Sequence, residues 1–321
     1  MTLLQAIILG IVQGLTEFIP VSSTAHLVFA ARAVGLYNGV GATAQAEQTT
    51  ATIAVVQLGT LVAVLVYFSR DIANITRAFI RDHLALLRGN RVSASSATSQ
   101  GEAFSGGSAP VVAENPISAR RLGGLSQEAW LGWLVVIGSI PVGIVGLLFK
   151  KQIEGTFTKN LWVIATMMVV IAILLALAEL VGKRNRSMNE LGIFDAVIVG
   201  SAQCLALIPG SSRSGSTIMA GLFAGEVRET AARFSFLLSI PAILASGLLE
   251  LKEAIHRLPH GSYYSLGVAT VVSGMIGYAS IWFLLRYLRT HSTALFIFYR
   301  LFVGGAIFVA LFSGHLSAAV R

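Results

Sequence analysis

An all-α polytopic membrane protein is the fold class the sequence predicts, and three observations predict it. Of the 321 residues, 55% are hydrophobic and 12% charged, where ordinary globular chains carry about 25% charge. Mean hydropathy is +0.76. Several apolar runs approach the roughly 20 residues that cross a bilayer. A water-soluble enzyme, a disordered regulator and a fibrous protein are excluded on these grounds. The net charge of +8 resembles that of nucleic-acid binders, but Lys and Arg in membrane-protein loops set orientation instead. No nucleic-acid partner is expected. Cys204 stands alone and forms no intrachain disulfide. Met1-Thr-Leu-Leu-Gln5 lacks the basic region of a signal peptide, so the first apolar stretch is expected to be retained.

Taken in order, residues 3–34 form an apolar stretch broken by Pro20-Val-Ser-Ser-Thr24. Each half is short for a span, and irregular backbone at membrane depth survives only inside protein or beside a wet cavity. A re-entrant helical hairpin is predicted. Residues 51–69 read as a full span, and 72–89 as an amphipathic helix with Arg77, Arg81 and Arg88 beside Ile75, Phe79, Leu84 and Leu87. Residues 90–126, rich in Ser, Ala and Gly without apolar period, read as a flexible cytoplasmic loop. Spans follow at 130–149 and 160–181, with Trp130 and Trp133 near an end where rings settle at headgroups. Residues 193–226 repeat the broken pattern around Pro209-Gly-Ser-Ser-Arg-Ser-Gly-Ser-Thr217 and predict a second re-entrant hairpin. Spans at 231–251, 263–285 and 294–312 complete the chain.

The two hairpins align. Gly10-x-x-Gln13-x-Leu15 matches Gly200-x-x-Gln203-x-Leu205, and Ile19-Pro20-x-Ser22-Ser23 matches Ile208-Pro209-x-Ser211-Ser212. A hairpin returns the chain to its starting side and three spans carry it across, so the second half begins from the opposite face. A single membrane domain over 1–321 is therefore expected, an inverted-topology repeat with halves at about 1–181 and 190–321. Under this topology fourteen Lys and Arg fall on one side and seven on the other, with Arg213 and Arg300 inside the membrane. The richer side is cytoplasmic. The first hairpin then opens to the outer face.

Ionisable groups at membrane depth are costly and point to function. Gln13 and Glu17, at i and i+4, share a helix face. Ser22, Ser23, Thr24 and His26 follow, and the second hairpin brings Ser211, Ser212, Arg213, Ser214, Ser216 and Thr217. With both loops meeting near the midplane, this set suits a phosphate. Helix N-termini bind anions, Arg213 grips a phosphoryl group bidentately, and a hydroxyl beside His26 can attack with the imidazole as base. Glu17 can hold a divalent cation or orient His26, and Gln13 can complete the cation's shell. Against this stand plainer readings. Serines and glycines ease close helix packing in membranes, and Glu17 with Arg213 can form a structural pair. Arg300 either snorkels from its span end or serves as a ligand. Asp195 reads as a helix cap, and Cys204, Met167 and Met168 as packing.

These residues resemble the bacterial undecaprenyl-diphosphate phosphatases of the bacitracin-resistance type. The resemblance rests on Ile8-Leu-Gly-Ile-Val-Gln-Gly-Leu-Thr-Glu-Phe-Ile-Pro-Val-Ser-Ser-Thr-Ala-His26, Gln57-Leu-Gly59, Gln203 through Thr217, Phe234-Ser-Phe-Leu-Leu-Ser-Ile-Pro241 and Tyr299-Arg300. It implies a multi-pass enzyme of the bacterial cell membrane that removes the terminal phosphate of undecaprenyl diphosphate and returns the carrier to cell-wall synthesis. It further implies a site opening outward, a divalent cation (Mg²⁺ or Ca²⁺), and a polyprenyl diphosphate among membrane lipids as the partner. A homodimer is compatible with the sequence. By position, Glu17 and Arg213 are essential, Ser23 is the nucleophile assisted by His26, and Ser212, Ser214 and Thr217 line the phosphate site. Gln13 stands at the family's variable Glu/Gln position, which argues against a mechanism needing two carboxylates there. Direct attack by water remains open beside attack by Ser23. A polyprenyl-phosphate flippase or secondary transporter is the competing class, since inverted repeats with broken helices serve transport too.

Overall fold

The computed structural model describes residues 1–36, 42–88, 125–149, 160–257 and 263–316. Among these the chain is helical, with no strand and one isolated bridge between Arg186 and Glu226. The helices are α1 (Leu3–Phe18), α2 (Ser23–Ala33), α3 (Ala42–Tyr67), α4 (Ser69–Leu87), α5 (Gln127–Leu148) and α6 (Leu161–Val181). After a short turn of 3-10 helix at Met188–Glu190 come α7 (Ile193–Gln203, prolonged by a 3-10 turn at Cys204–Leu207) and α8 (Arg213–Phe223). The last three are α9 (Arg228–Arg257), α10 (Tyr263–Thr290) and α11 (Ala294–Phe312).

Six of these helices are long and apolar enough to cross a membrane: Gln48–Tyr67 of α3, α5, α6, Arg228–Gly247 of α9, α10 and α11. They match the six spans read from the sequence, with α10 longer by about one turn. Leu3–Phe18 and Ile193–Leu207 are apolar but short. At 1.5 Å per residue, the 16 residues of α1 cover about 24 Å, less than a hydrocarbon core of about 30 Å. The 90–126 loop lies outside the described residues apart from 125 and 126.

The helices group into two units, one of residues 1–69 and 135–321, the other of 70–134. Within the smaller unit, α4 turns one face to the start of α5. A Cβ on Gly132 would lie 3.0 Å from Ile75 Cγ2, Trp133 Nε1 donates to His83 Nε2 at 3.0 Å, and fully buried Asp82 accepts from Ser126 N–H at 2.7 Å. Its other face exposes Arg77 and Arg81 together with the apolar Ile80 and Leu84.

In the larger unit, α1 lies along α10, α3 packs on α9 and α10, and α11 packs on α6. Small residues set these distances. A Cβ on Gly10 would lie 2.6 Å from the Ala269 carbonyl, and one on Gly14 2.7 Å from Ile276 Cβ. Likewise α7 meets α5 where Gly200 faces Gly138. Phe18 stands edge-on to Phe236 at 5.3 Å, so the end of α1 also touches α9. α8 is wedged between α6, α7 and α9.

At the far end of α7 and α8 a buried charge cluster closes the turn. Asp195 caps α7 as expected, accepting from Gly192 N–H at 2.7 Å, and it also takes both Arg186 nitrogens at 2.5 and 2.7 Å. Glu226 is fully buried beside it, and neither of its carboxylate oxygens has a hydrogen-bond partner. Burial, reinforced by the Asp195 charge, pushes the Glu226 carboxyl up to about 8. The folded chain therefore holds a proton that the unfolded chain, with an ordinary value of 4.5, has released. Stability from this group is complete below about 4.5 and declines as pH rises towards about 8. Glu226→Gln should remove that decline and raise the melting temperature in detergent at pH 8.5 by a few degrees. Parallel melting curves of the two proteins from pH 5 to 9 provide the check, and curves that stay parallel would contradict it.

Candidate functional site

Two broken helices supply the site. Each break begins with an isoleucine held extended by the proline after it: Ile19 at φ −67°, ψ 133°, and Ile208 at φ −93°, ψ 122°. Each ends on a serine with positive φ, Ser22 at 77° and Ser212 at 69°. Among the described residues the one other non-glycine in this region is Arg184. Such conformations cost of order 1–3 kcal/mol each and persist where surrounding structure holds them. Ser212 Oγ accepts from Gly215 N–H at 3.1 Å and so caps α8. Gly210, at φ +92°, lies so close to the backbone of Ile164 that a Cβ would strike it.

Glu17 is the centre. One carboxylate oxygen pairs with Arg213 Nη2. The other accepts from Ser23 Oγ at 2.8 Å and from Gln13 Nε2 at 3.1 Å. Ser214 Oγ reaches the Glu17 carbonyl at 3.5 Å. The ion pair joins α1 to the first residue of α8, and side-chain exposure is 6% for Glu17 and 16% for Arg213. Thus the carboxylate, the hydroxyl and the guanidinium singled out in the sequence come together, one from each of three helix ends.

His26 sits differently from the expectation. Its Nδ1 donates to the Ser22 carbonyl at 2.7 Å, which leaves Nε2 to accept from Tyr299 O–H at 2.7 Å. The rings of His26 and Tyr299 stack with centroids 5.5 Å apart. Ser23 has its hydrogen bond with Glu17, not with His26. Other predicted residues divide. Ser212 and Ser214 hydroxyls lie 3.2 Å apart at the mouth of α8, while Thr24 is exposed. Ser211 is fully buried with an unpartnered hydroxyl. Thr217 sits one turn deeper in α8 than Arg213: its hydroxyl bonds the Arg213 carbonyl at 2.8 Å and Ser235 at 2.5 Å, bracing α8 against α9.

Arg300 is a correction to the sequence reading. It does not snorkel; it is fully buried. Its nitrogens donate to five backbone carbonyls: Met167 and Met168 of α6, Pro20 of the first break, and Gly210 and Ser211 of the second, at 2.9 to 3.3 Å. Position gives the signal the reading missed. Arg300 is the seventh residue of α11, too far from the end for its head to reach water. Thr60, fully buried and 3.4 Å from Gln13 Nε2, was not foreseen either.

Hard oxygen donors suitable for a divalent cation are sparse. No group of three or more His, Cys, Asp or Glu gathers among the described residues. Gln13 Oε1, however, is buried without a partner beside Glu17. One carboxylate and one amide oxygen fit a cation that takes its remaining ligands from phosphate and water.

A family model described as "Bacitracin resistance protein BacA" matches residues 6–306. Curated relatives named undecaprenyl-diphosphatase align over nearly the full chain. That of Syntrophobacter fumaroxidans is 45% identical over 97% of this chain and 98% of its own. That of Chlorobium phaeobacteroides is 44% identical over 99% and 100%. That of Mycolicibacterium vanbaalenii is 43% identical over the same shares.

The positive φ and the contact with Ile164 make Gly210 intolerant of a side chain. Gly210→Ala should cost about 2 kcal/mol or more, lowering the yield or melting temperature of detergent-extracted protein. Gly267→Ala, where a Cβ meets nothing within 4 Å, should match the parent. Equal behaviour of the two variants would refute the reading.

Proposed function

The chain belongs to the bacitracin resistance protein BacA family, and from that premise we propose that it hydrolyses the terminal phosphate of undecaprenyl diphosphate. The products are undecaprenyl phosphate, reused as carrier in peptidoglycan synthesis, and orthophosphate. One observation carries this at the level of chemistry: the Ser23 hydroxyl already donates to the carboxylate that pairs with Arg213. A base, a nucleophile and a phosphate-gripping fork thus share one buried point.

The terminal phosphate takes over the Arg213 fork, which frees Glu17 to receive the Ser23 proton. Ser23 Oγ attacks the terminal phosphorus, the bond to the bridging oxygen breaks, and undecaprenyl phosphate leaves with the proton that Glu17 took from Ser23. Water then attacks the phosphoserine, giving its proton to Glu17, while Ser23 departs and regains a proton from the same carboxyl. Glu17 is the base in this reading. His26 holds the Ser22 carbonyl and, through Tyr299, fixes the start of α2. Arg213 neutralises the charge that builds on the equatorial oxygens. Ser212 and Ser214 border the phosphate; Thr217 supports α8 from behind. A bound Mg²⁺ or Ca²⁺ would be held by Glu17 and Gln13 Oε1 and would supply charge neutralisation on the diphosphate.

The membrane arrangement follows the same reading. The two short helix pairs are re-entrant hairpins of an inverted repeat. Supporting this are the matched extended isoleucines, the matched positive-φ serines, and the way α1 packs on α10 as α7 packs on α5. With the basic excess on the cytoplasmic side, the site opens outward. All groups named lie on one copy of the chain, so the chemistry needs no homodimer. A flippase or transporter has no use for an acid already bonded to a hydroxyl.

Purified protein in detergent should release orthophosphate from a polyprenyl diphosphate. Arg213→Lys should lose about 100-fold or more in kcat, since an ammonium cannot replace the planar fork. Glu17→Gln should be inactive at the limit of detection. Ser23→Ala separates the routes: loss of turnover supports attack by Ser23, whereas substantial residual turnover assigns the attack to water with Glu17 as base. Wild-type turnover in Arg213→Lys would remove the clamp.

A further inference from the structure

Arg300 has no carboxylate partner among the described residues, although it is fully buried. Burying a guanidinium without a counter-charge is costly, and five carbonyl dipoles offset that cost. The acceptors identify what Arg300 holds. Pro20 lies in the first break, Gly210 and Ser211 in the second, and Met167 and Met168 in the neighbouring span. One planar group therefore ties both broken loops to α6.

The orientation of these carbonyls fixes their N–H partners. No cis peptide bond is present among the described residues, and in a trans unit C=O and N–H point oppositely. With the Ser211 carbonyl drawn onto Arg300, the N–H of Ser212 faces the other way, and the N–H groups of Arg213 and Ser214 follow it as first-turn donors of α8 without an intrahelical acceptor. The Arg213 side chain and Ser214 share that end, as does Glu17 through its ion pair. Charge adds to geometry. Arg213, Arg300 and Glu17 together leave the buried site with one surplus positive charge, which favours an anion.

We propose that Arg300 is a positioning residue for the phosphatase reaction, pulling the loop carbonyls back so that the α8 N-terminal N–H groups and Arg213 are aimed at the terminal phosphate. The proposal rests on the hydrolase reading above and deepens it. The hydrogen bonds of Arg300 go to backbone alone, and its effect on the reaction is carried by the loops it holds.

The test uses full-length protein in detergent, with orthophosphate as the probe. Arg300→Lys keeps a charge but cannot bridge both loops and α6 at once. Expected are kcat lower by about 100-fold, KM for the lipid within about threefold, and a Ki for orthophosphate on the residual turnover raised about tenfold. A variant that merely folded less completely would lose active protein, cutting kcat while leaving Ki unchanged. An unchanged Ki, or parental kcat, overturns the proposal. Should Arg300→Lys fail to fold, Gly304→Ala decides. A Cβ there would lie 2.9 Å from Val169 Cγ2, pressing α11 away from α6 one turn beyond Arg300 without touching either loop. A raised Ki supports the proposal, and a parental one defeats it. Failure of the unaltered protein to release phosphate is a separate result that sinks the hydrolase reading instead.

Discussion

A mostly buried ion pair is a poor way to stabilise a protein, because desolvating two charges can cost more than their attraction returns. Glu17 and Arg213 are nonetheless joined across 196 positions of sequence, at the tips of two helices too short to cross a bilayer. Apolar side chains of similar size would hold those tips at lower cost. What they would not do is place a fixed negative and a fixed positive group side by side with a hydroxyl between them and the loop. The surrounding structure serves this junction. Glycines let α1 settle on α10 and α7 on α5, Phe18 and Phe236 lock the end of α1, and Thr217 with Ser235 keeps α8 in place.

Within that frame the backbone contributes as much as the side chains. Ser22 and Ser212 both hold positive φ, a strain met at equivalent points of the two breaks. Ser22 is held by His26 one turn on, whose Nδ1 donates to the Ser22 carbonyl, and Ser212 by its own cap on Gly215 N–H and by the fastening of the preceding carbonyls to Arg300. The first loop is thus kept in its costly conformation by a residue one turn on and the second by a residue distant in sequence, which is how strained backbone persists at functional sites.

The sequence made the helical architecture legible because apolar runs of span length are hard to mistake, and all six were placed to within a few residues. It also exposed Glu17, Ser23 and Arg213, since charge at membrane depth is rare enough to stand out. It did not reveal who partners whom. His26 was paired with a serine hydroxyl on sequence proximity, yet helix geometry turns its ring to a carbonyl one turn back and to Tyr299 on a helix 273 residues away. The motif assigns Thr217 to the phosphate site, while α8 sets it one turn beyond Arg213 on the same face, with its hydroxyl on the Arg213 carbonyl and Ser235. Of the two readings the sequence allows for Arg300, snorkelling from the span end fails, because the residue stands seven positions into α11 and turns onto carbonyls of α6 and the two loops. Each of these differences concerns a partner in space, which spacing along one chain does not encode when the partner lies on a different helix.

The asymmetry between the two breaks has a chemical logic. Equivalent positions have diverged: Glu17 has no carboxylate counterpart near Leu207, Ser23 at the start of α2 stands where the second break has Arg213 at the start of α8, and Gln13 is matched by Gln203, whose amide atoms are buried without partners. A symmetric pair would put like charges face to face, two carboxylates or two guanidiniums, and neither arrangement can both deprotonate a hydroxyl and draw in a diphosphate. Giving the acid to one hairpin and the fork to the other makes the attraction that closes the site the same attraction that the substrate must replace. Arg300, belonging to neither hairpin, is then free to hold both loops while remaining in place as that exchange occurs.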